Sequence, residues 1–412
     1  MKHFNFTLLA LSMCAINPAH ANFIDQSTVT LTTKNVYIDR NYMGEGVAQP
    51  ASKEWAQGFM LNMNSGYTKG VIGTGLDVYA GLGFKLWGDA EHSRGTSMLP
   101  LDPITGKPES SFAEISATAK FKYAETELKY GTLFPKTPVV IASFSRALPQ
   151  SYHGVQLVSK DIKNLKLEMT YLDQVNQRDS TNYEDIKLIS ANGRFKPISS
   201  DYLYYIGANY ALNPQTEITL FHANFHDIYQ QYYTGLNHSY PINDAMSLST
   251  DFRYFRTLDE GKQLAGNIDN HHGNLVFGVS QNNHKLSAGY IHNSGDTAMP
   301  YLSSGETATY MDSWATDFLN KNEKAYTIRY DYNFKDYIPG LNTTLKYVYG
   351  NNFNAADGRE NRESEANFIG SYAFQQPYLK GLALQYLLID YHVKYGTDFT
   401  ENRFFVNYSK KF

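Results

Sequence analysis

The chain has 412 residues, a formal net charge of −4 and a single cysteine, Cys14. One thiol rules out a disulfide framework, and a mildly acidic chain without a basic stripe gives no footing for nucleic acid. Aromatic residues make up 15%, with 33 Tyr and 24 Phe, and charged residues only 18%, yet the mean hydropathy is −0.43.

In chain order, Lys2 and His3 precede a short apolar stretch, Phe4 to Ile16. Asn17-Pro18 breaks it, and Ala19-His20-Ala21 supplies small residues at −3 and −1. That order predicts a secretory signal over residues 1–21, cut after Ala21. Residues 22–412 are then one unit without cysteine. Met13 is too bulky to precede a lipidated Cys14, which sets a lipoprotein signal aside. Beyond this stretch no run approaches the ~18 apolar residues of a membrane helix.

The oily residues alternate with polar ones instead. Ile72, Thr74, Leu76, Val78, Ala80, Leu82, Phe84 and Leu86 share one face of a long strand, with Asp77 and Lys85 on the other. Ile115, Ala117, Ala119, Phe121 and Tyr123 alternate with Glu114, Ser116, Thr118, Lys120 and Lys122. Leu165, Leu167, Met169 and Tyr171 alternate with Lys166, Glu168 and Thr170. The clearest case is Lys324 to Phe334, where Tyr326, Ile328, Tyr330, Tyr332 and Phe334 oppose Ala325, Thr327, Arg329, Asp331 and Asn333. Leu341, Thr343, Leu345, Tyr347 and Tyr349 repeat it against Asn342, Thr344, Lys346 and Val348. Side chains alternate across a strand, so such a segment makes an oily wall and a polar wall at once.

Very short turns (Asp161 to Asn164, Asn282-Asn283, Pro339-Gly340) contrast with long polar connections (Gly88 to Ser111, Thr257 to Asn270, Asn293 to Lys321). The reading is all-β: a single antiparallel transmembrane β-barrel of about eighteen strands, exported to an outer membrane and surrounded by its lipids and lipopolysaccharide. Closure is required because unpaired backbone groups in lipid cost several kcal/mol each. Phe404, Val406, Tyr408, Lys410 and Phe412 share the last face. A final aromatic strand ending in Phe412 resembles the signal read by outer-membrane assembly machinery.

Specific motifs accompany the pattern. Trp55-Ala56-Gln57-Gly58-Phe59, Ser65-Gly66-Tyr67-Thr68, Thr126-Glu127-Leu128-Lys129-Tyr130-Gly131 and Ser145-Arg146-Ala147-Leu148-Pro149-Gln150 resemble the OprD family of substrate-specific porins. So do Asp227-Ile228-Tyr229-Gln230-Gln231, Leu264 to Asn270, Arg329-Tyr330-Asp331-Tyr332, Pro339-Gly340-Leu341 and Glu401-Asn402-Arg403. The resemblance implies an eighteen-stranded, largely monomeric barrel whose third extracellular loop folds inward. It also implies a ladder of basic residues that guides small organic anions, with no cofactor.

Residue alternation reaches the same wall. Arg253, Arg329, Lys346 and Arg403 fall on polar strand faces, and the resemblance adds Lys34, which like Lys346 stands where the family carries Arg. A charge facing lipid at mid-depth costs ~2–4 kcal/mol, so these side chains are expected inside. Guanidinium suits a carboxylate because its planar fork donates two parallel hydrogen bonds. The competing expectation is that such cations only brace the barrel against inward Asp331 and Glu168. Arg146, Tyr152 and His153 are expected in the constriction loop, stiffened by Pro135, Pro138 and Pro149. Asp269 is expected to face the basic wall. Gln385, Leu387 and His392 replace the Arg usual in the resembled family, and Leu387 and Ile389 make the lumen greasier there. This points to a solute with one carboxylate on an apolar or aromatic body.

Other chemistry is thin. His222 with His226, or His271 with His272, offers two ligands, a poor metal site. No Gly-x-Ser-x-Gly elbow or phosphate-binding loop is present. Gly73, Gly75, Gly81 and Gly83 read as strand glycines. The alternatives are a general diffusion or oligosaccharide porin and, more remotely, a barrel hydrolase.

Overall fold

The computed structural model describes residues 23–412 apart from 24, 45–46, 48, 190–193 and 312. The signal expected over residues 1–21, with Cys14, lies outside the described residues.

Eighteen long strands follow one another: β1 (Thr28–Met43), β2 (Ala51–Asn64), β3 (Gly73–Trp87), β4 (Ser111–Tyr123), β5 (Thr126–Leu133), β6 (Ser151–Ser159), β7 (Leu165–Asn176), β8 (Leu203–Asn213), β9 (Thr216–Phe225), β10 (Tyr229–Asn243), β11 (Met246–Asp259), β12 (Asp269–Gln281), β13 (His284–Gly295), β14 (Lys324–Asn333), β15 (Leu341–Asn354), β16 (Glu360–Ala373), β17 (Leu382–Val393) and β18 (Asp398–Lys411). Each pairs antiparallel with the next. β1 also pairs with β18, from Thr30 opposite Lys411 to Met43 opposite Asp398, and this closes the barrel. No strand of the wall is left with a bare edge, which is what lipid demands of a sheet. A short strand at 183–184 pairs with Val175 and Asn176 at the end of β7, while 136–137 with 140–141 and 186–187 with 199–200 form two separate two-stranded pieces.

The alternation read from the sequence becomes the two faces of the wall. Tyr326, Ile328, Leu345, Tyr347, Phe404 and Val406 are exposed outward, while Ala325, Thr327, Val348 and Arg403 are buried inside. Connections after odd-numbered strands include the long segments 88–110, 134–150, 177–202 and 296–323; those after even-numbered strands are short. In outer-membrane barrels the short turns face the periplasm and the long loops the exterior.

The long loops fold back into the barrel. Ala147 and Leu148 pack with Met98 and Leu99 against Val36, Ile38, Ala56 and Leu387 of the wall. Gly58 makes room for this: a Cβ there would lie 2.2 Å from the Ala147 carbonyl oxygen. Met299, Leu302 and Leu319 join Val140, Leu188 and Phe195 in a second core against β5–β11. The strand glycines seat inward side chains more than neighbouring backbones. Gly83 lies under the Phe112 ring, Gly81 under Tyr79 and Gly75 under Lys120.

Candidate functional site

The five wall cations expected from the sequence all point inward, spread from β1 round to β11. Side chains two residues apart share a strand face, and three of the cations are held by a carboxylate at that spacing. Arg253 donates through Nε and Nη2 to Asp251 at 2.8 and 2.5 Å. Arg329 does the same to Asp331 at 2.9 and 2.8 Å. Arg403 donates to Glu401, which also accepts from Arg40 across the seam between β1 and β18. Lys346 stands opposite Arg329 in register.

Several of these cations also reach the connection 296–323. Arg253 Nη1 donates to the Ala308 carbonyl at 2.6 Å, Lys346 Nζ to Tyr310 at 3.4 Å and Arg403 Nη2 to Trp314 at 3.0 Å. Asn274 accepts from the Tyr310 N–H at 2.8 Å. Glu365 accepts the N–H groups of Trp314, Ala315 and Thr316 at 2.8–3.2 Å.

A third cluster lies where three loops meet the wall at Lys34. Phe144, on loop 134–150, is 52% exposed. Its carbonyl accepts from Lys34 Nζ, and its N–H donates to Glu306 Oε1 at 3.3 Å. Ser143 Oγ donates to the same Glu306 oxygen at 3.2 Å. Arg178 Nη1 reaches Ser143 Oγ at 3.2 Å and Ser145 Oγ at 3.0 Å. Burial pushes the Arg178 guanidinium below its ordinary value, and the charge of neighbouring Asp179 opposes that. The Phe144 backbone is therefore held between one cation and one carboxylate, with Arg178 on the serines at either side, while its half-exposed ring packs on the Phe134 ring at 5.8 Å.

A closed barrel of this strand number, filled by inward loops and lined by cations, has clear relatives. The sequence matches the family described as outer membrane porin, OprD family, over residues 21–412. The chain belongs to the OprD family. It is 29% identical to the porin-like protein GalP of Pseudomonas putida over 391 residues, 94% of this chain and 92% of that one. The crystal structure of OccAB2 of Acinetobacter baumannii superposes with a TM-score of 0.89 at 46% identity, covering 95% of this chain and 100% of that one. The crystal structure of OpdK of Pseudomonas aeruginosa with vanillate gives a TM-score of 0.88 at 28% identity, with 95% and 100% covered. The protein is thus an outer-membrane porin, a channel and not an enzyme.

Within this OprD-family barrel several expected site residues stand elsewhere. Arg146 is in loop 134–150 but buried, donating to the Thr96 carbonyl at 2.6 Å and to that of Ser145 at 3.1 Å. Burial, with Arg178 and Arg403 nearby, pushes its guanidinium well below the ordinary value. It braces one loop against another. Tyr152 and His153 belong to β6: Tyr152 is buried in the loop core, and His153 packs on outward Tyr130 and meets Asp173 at 2.7 Å. Asp269 does not face the basic wall. It lies on the outer face of β12 and pairs with Arg256 of β11. His392 is likewise on the outer face of β17, bonded to Asp390 and Asp398 at 3.2 and 3.0 Å. Both sit at strand ends, where outward charge is cheap.

Gln385 and Leu387 do point inward. Leu387 and Ile389 are nevertheless fully covered, Leu387 by Ala147 and Leu148 and Ile389 by Trp314 and Ala315. They seat the loops and do not line the passage. His271 turns outward to Tyr254, whereas His272 is buried inside against Asn293. Sequence reading missed Phe144, Arg178, Glu306 and Glu365. The first three lie on connections with no periodicity to assign them a face. Glu365 was within reach, because it falls on the polar face of β16 with Glu363 and Asn367.

Proposed function

We propose that this porin is a passive, selective channel for small solutes that carry one carboxylate on an aromatic or otherwise apolar body. The exposed Phe144 ring carries the reading: its own carbonyl accepts from Lys34, and Arg178 is bound to the serines on either side of it. A flat apolar body can lie against the ring, and ring–ring contacts contribute ~0.5–1.5 kcal/mol beyond area burial. A carboxylate on that body meets the two cations, and preorganised cations select anions by direct attraction. Glu306 disfavours a second carboxylate at the same place. The apolar residues Leu387 and Ile389 lend no support, since they are covered. OpdK, solved with vanillate, is a relative whose ligand is an aromatic monocarboxylate, in line with this chemistry.

The test is liposome swelling with benzoate, acetate, lysine and a neutral pentose on the purified protein. Benzoate is expected to enter fastest relative to its size. A preference for lysine, or equal entry of the pentose, overturns the proposal and favours a basic-solute or general diffusion channel.

A further inference from the structure

We propose that Arg253, Lys346 and Arg403 are positioning residues that hold the stretch through Ala308, Tyr310 and Trp314–Thr316 against the lumen wall, and that passing anions meet Arg329 instead. The segment crosses the wall from β11 to β18. Arg253 of β11, Asn274 of β12, Lys346 of β15, Glu365 of β16 and Arg403 of β18 each bind it. All these contacts are made to backbone groups of the segment. Carbonyl and N–H groups taken out of water need partners, and a wall of alternating cations, amide and carboxylate supplies both kinds. Glu365 collecting three successive N–H groups is the anion-in-a-nest arrangement in its protein-internal form. Charge-assisted bonds of this sort are roughly twice as strong as neutral ones.

Exposure separates the two kinds of cation. The Arg403 side chain is 3% exposed, under Trp314, whose ring lies 5.2 Å from the guanidinium. The Arg329 side chain is 38% exposed, and its hydrogen bonds among the described residues go to Asp331 rather than to the segment. A carboxylate in the passage can therefore reach Arg329 while the segment covers Arg403. The inference is independent of which carboxylate the channel prefers.

A positioning role has a signature that a ladder of charges lacks: removing a cation and removing an anion should have the same effect. The variants Arg253→Met, Arg403→Met, Glu365→Gln and Arg329→Gln are compared in planar bilayers and in liposome swelling, with a neutral pentose and benzoate as probes. Loss of one anchor should lower the docked-to-undocked ratio roughly tenfold, read as more time in a wider conductance level. Pentose entry should rise for both cation variants and for Glu365→Gln alike. Arg329→Gln should lose benzoate preference with pentose entry unchanged. Should Arg403→Met fail to assemble, because Glu401 then keeps only Arg40, the pair Asn274→Ala with Glu365→Gln carries the test and leaves the Arg–carboxylate braces intact. The proposal is overturned if the cation variants reduce benzoate entry without raising pentose entry, or if Glu365→Gln raises benzoate entry alone.

Discussion

Along β11–β18 the inward cations end on carboxylates and on carbonyls of a covering segment, whereas on β1 the cation Lys34 ends on the carbonyl of Phe144, whose ring is half exposed. Both stretches carry the same residue types on the same polar strand faces. They differ in what lies over them. Over the first, the stretch through Ala308, Tyr310 and Trp314–Thr316 lies across the wall and leaves Arg329 partly exposed; over the second, three loops meet and leave Phe144 in the open. A basic residue on a lumen wall is thus not evidence of a solute contact until its donors have been traced. Here the donors divide a single basic wall into cations bound to the covering segment and, at Arg329 and beside Phe144, the places to which the proposals assign solute contact.

The largest effect should come from removing the second stretch. Deletion of residues 144–150 takes away Phe144, Ser145 (one of the two serines under Arg178) and the Ala147–Gly58 contact. Single-channel conductance is expected to rise severalfold, with loss of discrimination between benzoate and acetate. An unchanged conductance would show that this loop does not narrow the passage.

A smaller, pH-dependent effect is expected where the first stretch is tethered. Asn320 donates its side-chain amide to Glu323 at 2.9 Å and to Glu363 at 3.0 Å, and both carboxyls are buried. The nearby cation, Arg194, is engaged with Asp317 at 2.6 and 2.7 Å. Burial, reinforced by the charge of Glu363, holds the Glu323 carboxyl well above its ordinary value. The docked form therefore keeps a proton that the undocked form loses. Docking is fully supported below the ordinary carboxylate range and weakens as pH rises through the interval up to the raised value. As pH rises above the ordinary carboxylate range, the share of wide conductance levels is expected to grow, and Glu323→Gln is expected to flatten the trend. The same slope in the variant would remove this pair as the cause.

The smallest effect is expected on the outer face. His392→Ala should change stability by no more than about 0.5 kcal/mol and leave solute preference as it was. A clear shift in benzoate preference would place His392 back in the passage.

The outer face was legible because its rule is local. With a period of two, Leu384 and Leu388 facing lipid already imply that His392 faces the same way, and Leu275 and Phe277 imply it for Asp269. For both, parity along the strand gives the face that the structure shows, against the expectation of an inward position. The braces were legible too, since Asp251 with Arg253, Arg329 with Asp331 and Glu401 with Arg403 are carboxylate–cation pairs at a spacing of two. The interior was not legible. Nothing local links Phe144 to Glu306, or Trp314 to Glu365 and Arg403, because irregular chain has no period and its seat is fixed by packing across the whole barrel. Leu387 shows the limit best: its inward face was readable, but its covering by Ala147 and Leu148 was not.

The most direct test of where selection takes place is the benzoate-to-acetate permeability ratio of Phe144→Ala against the parent protein. Truncating the ring leaves Lys34, Arg178 and Glu306 in place. The ratio is expected to fall by roughly three- to tenfold, the worth of one aromatic contact, while chloride conductance stays within the parent's range. An unchanged ratio would contradict the assignment of selectivity to this ring and its cations.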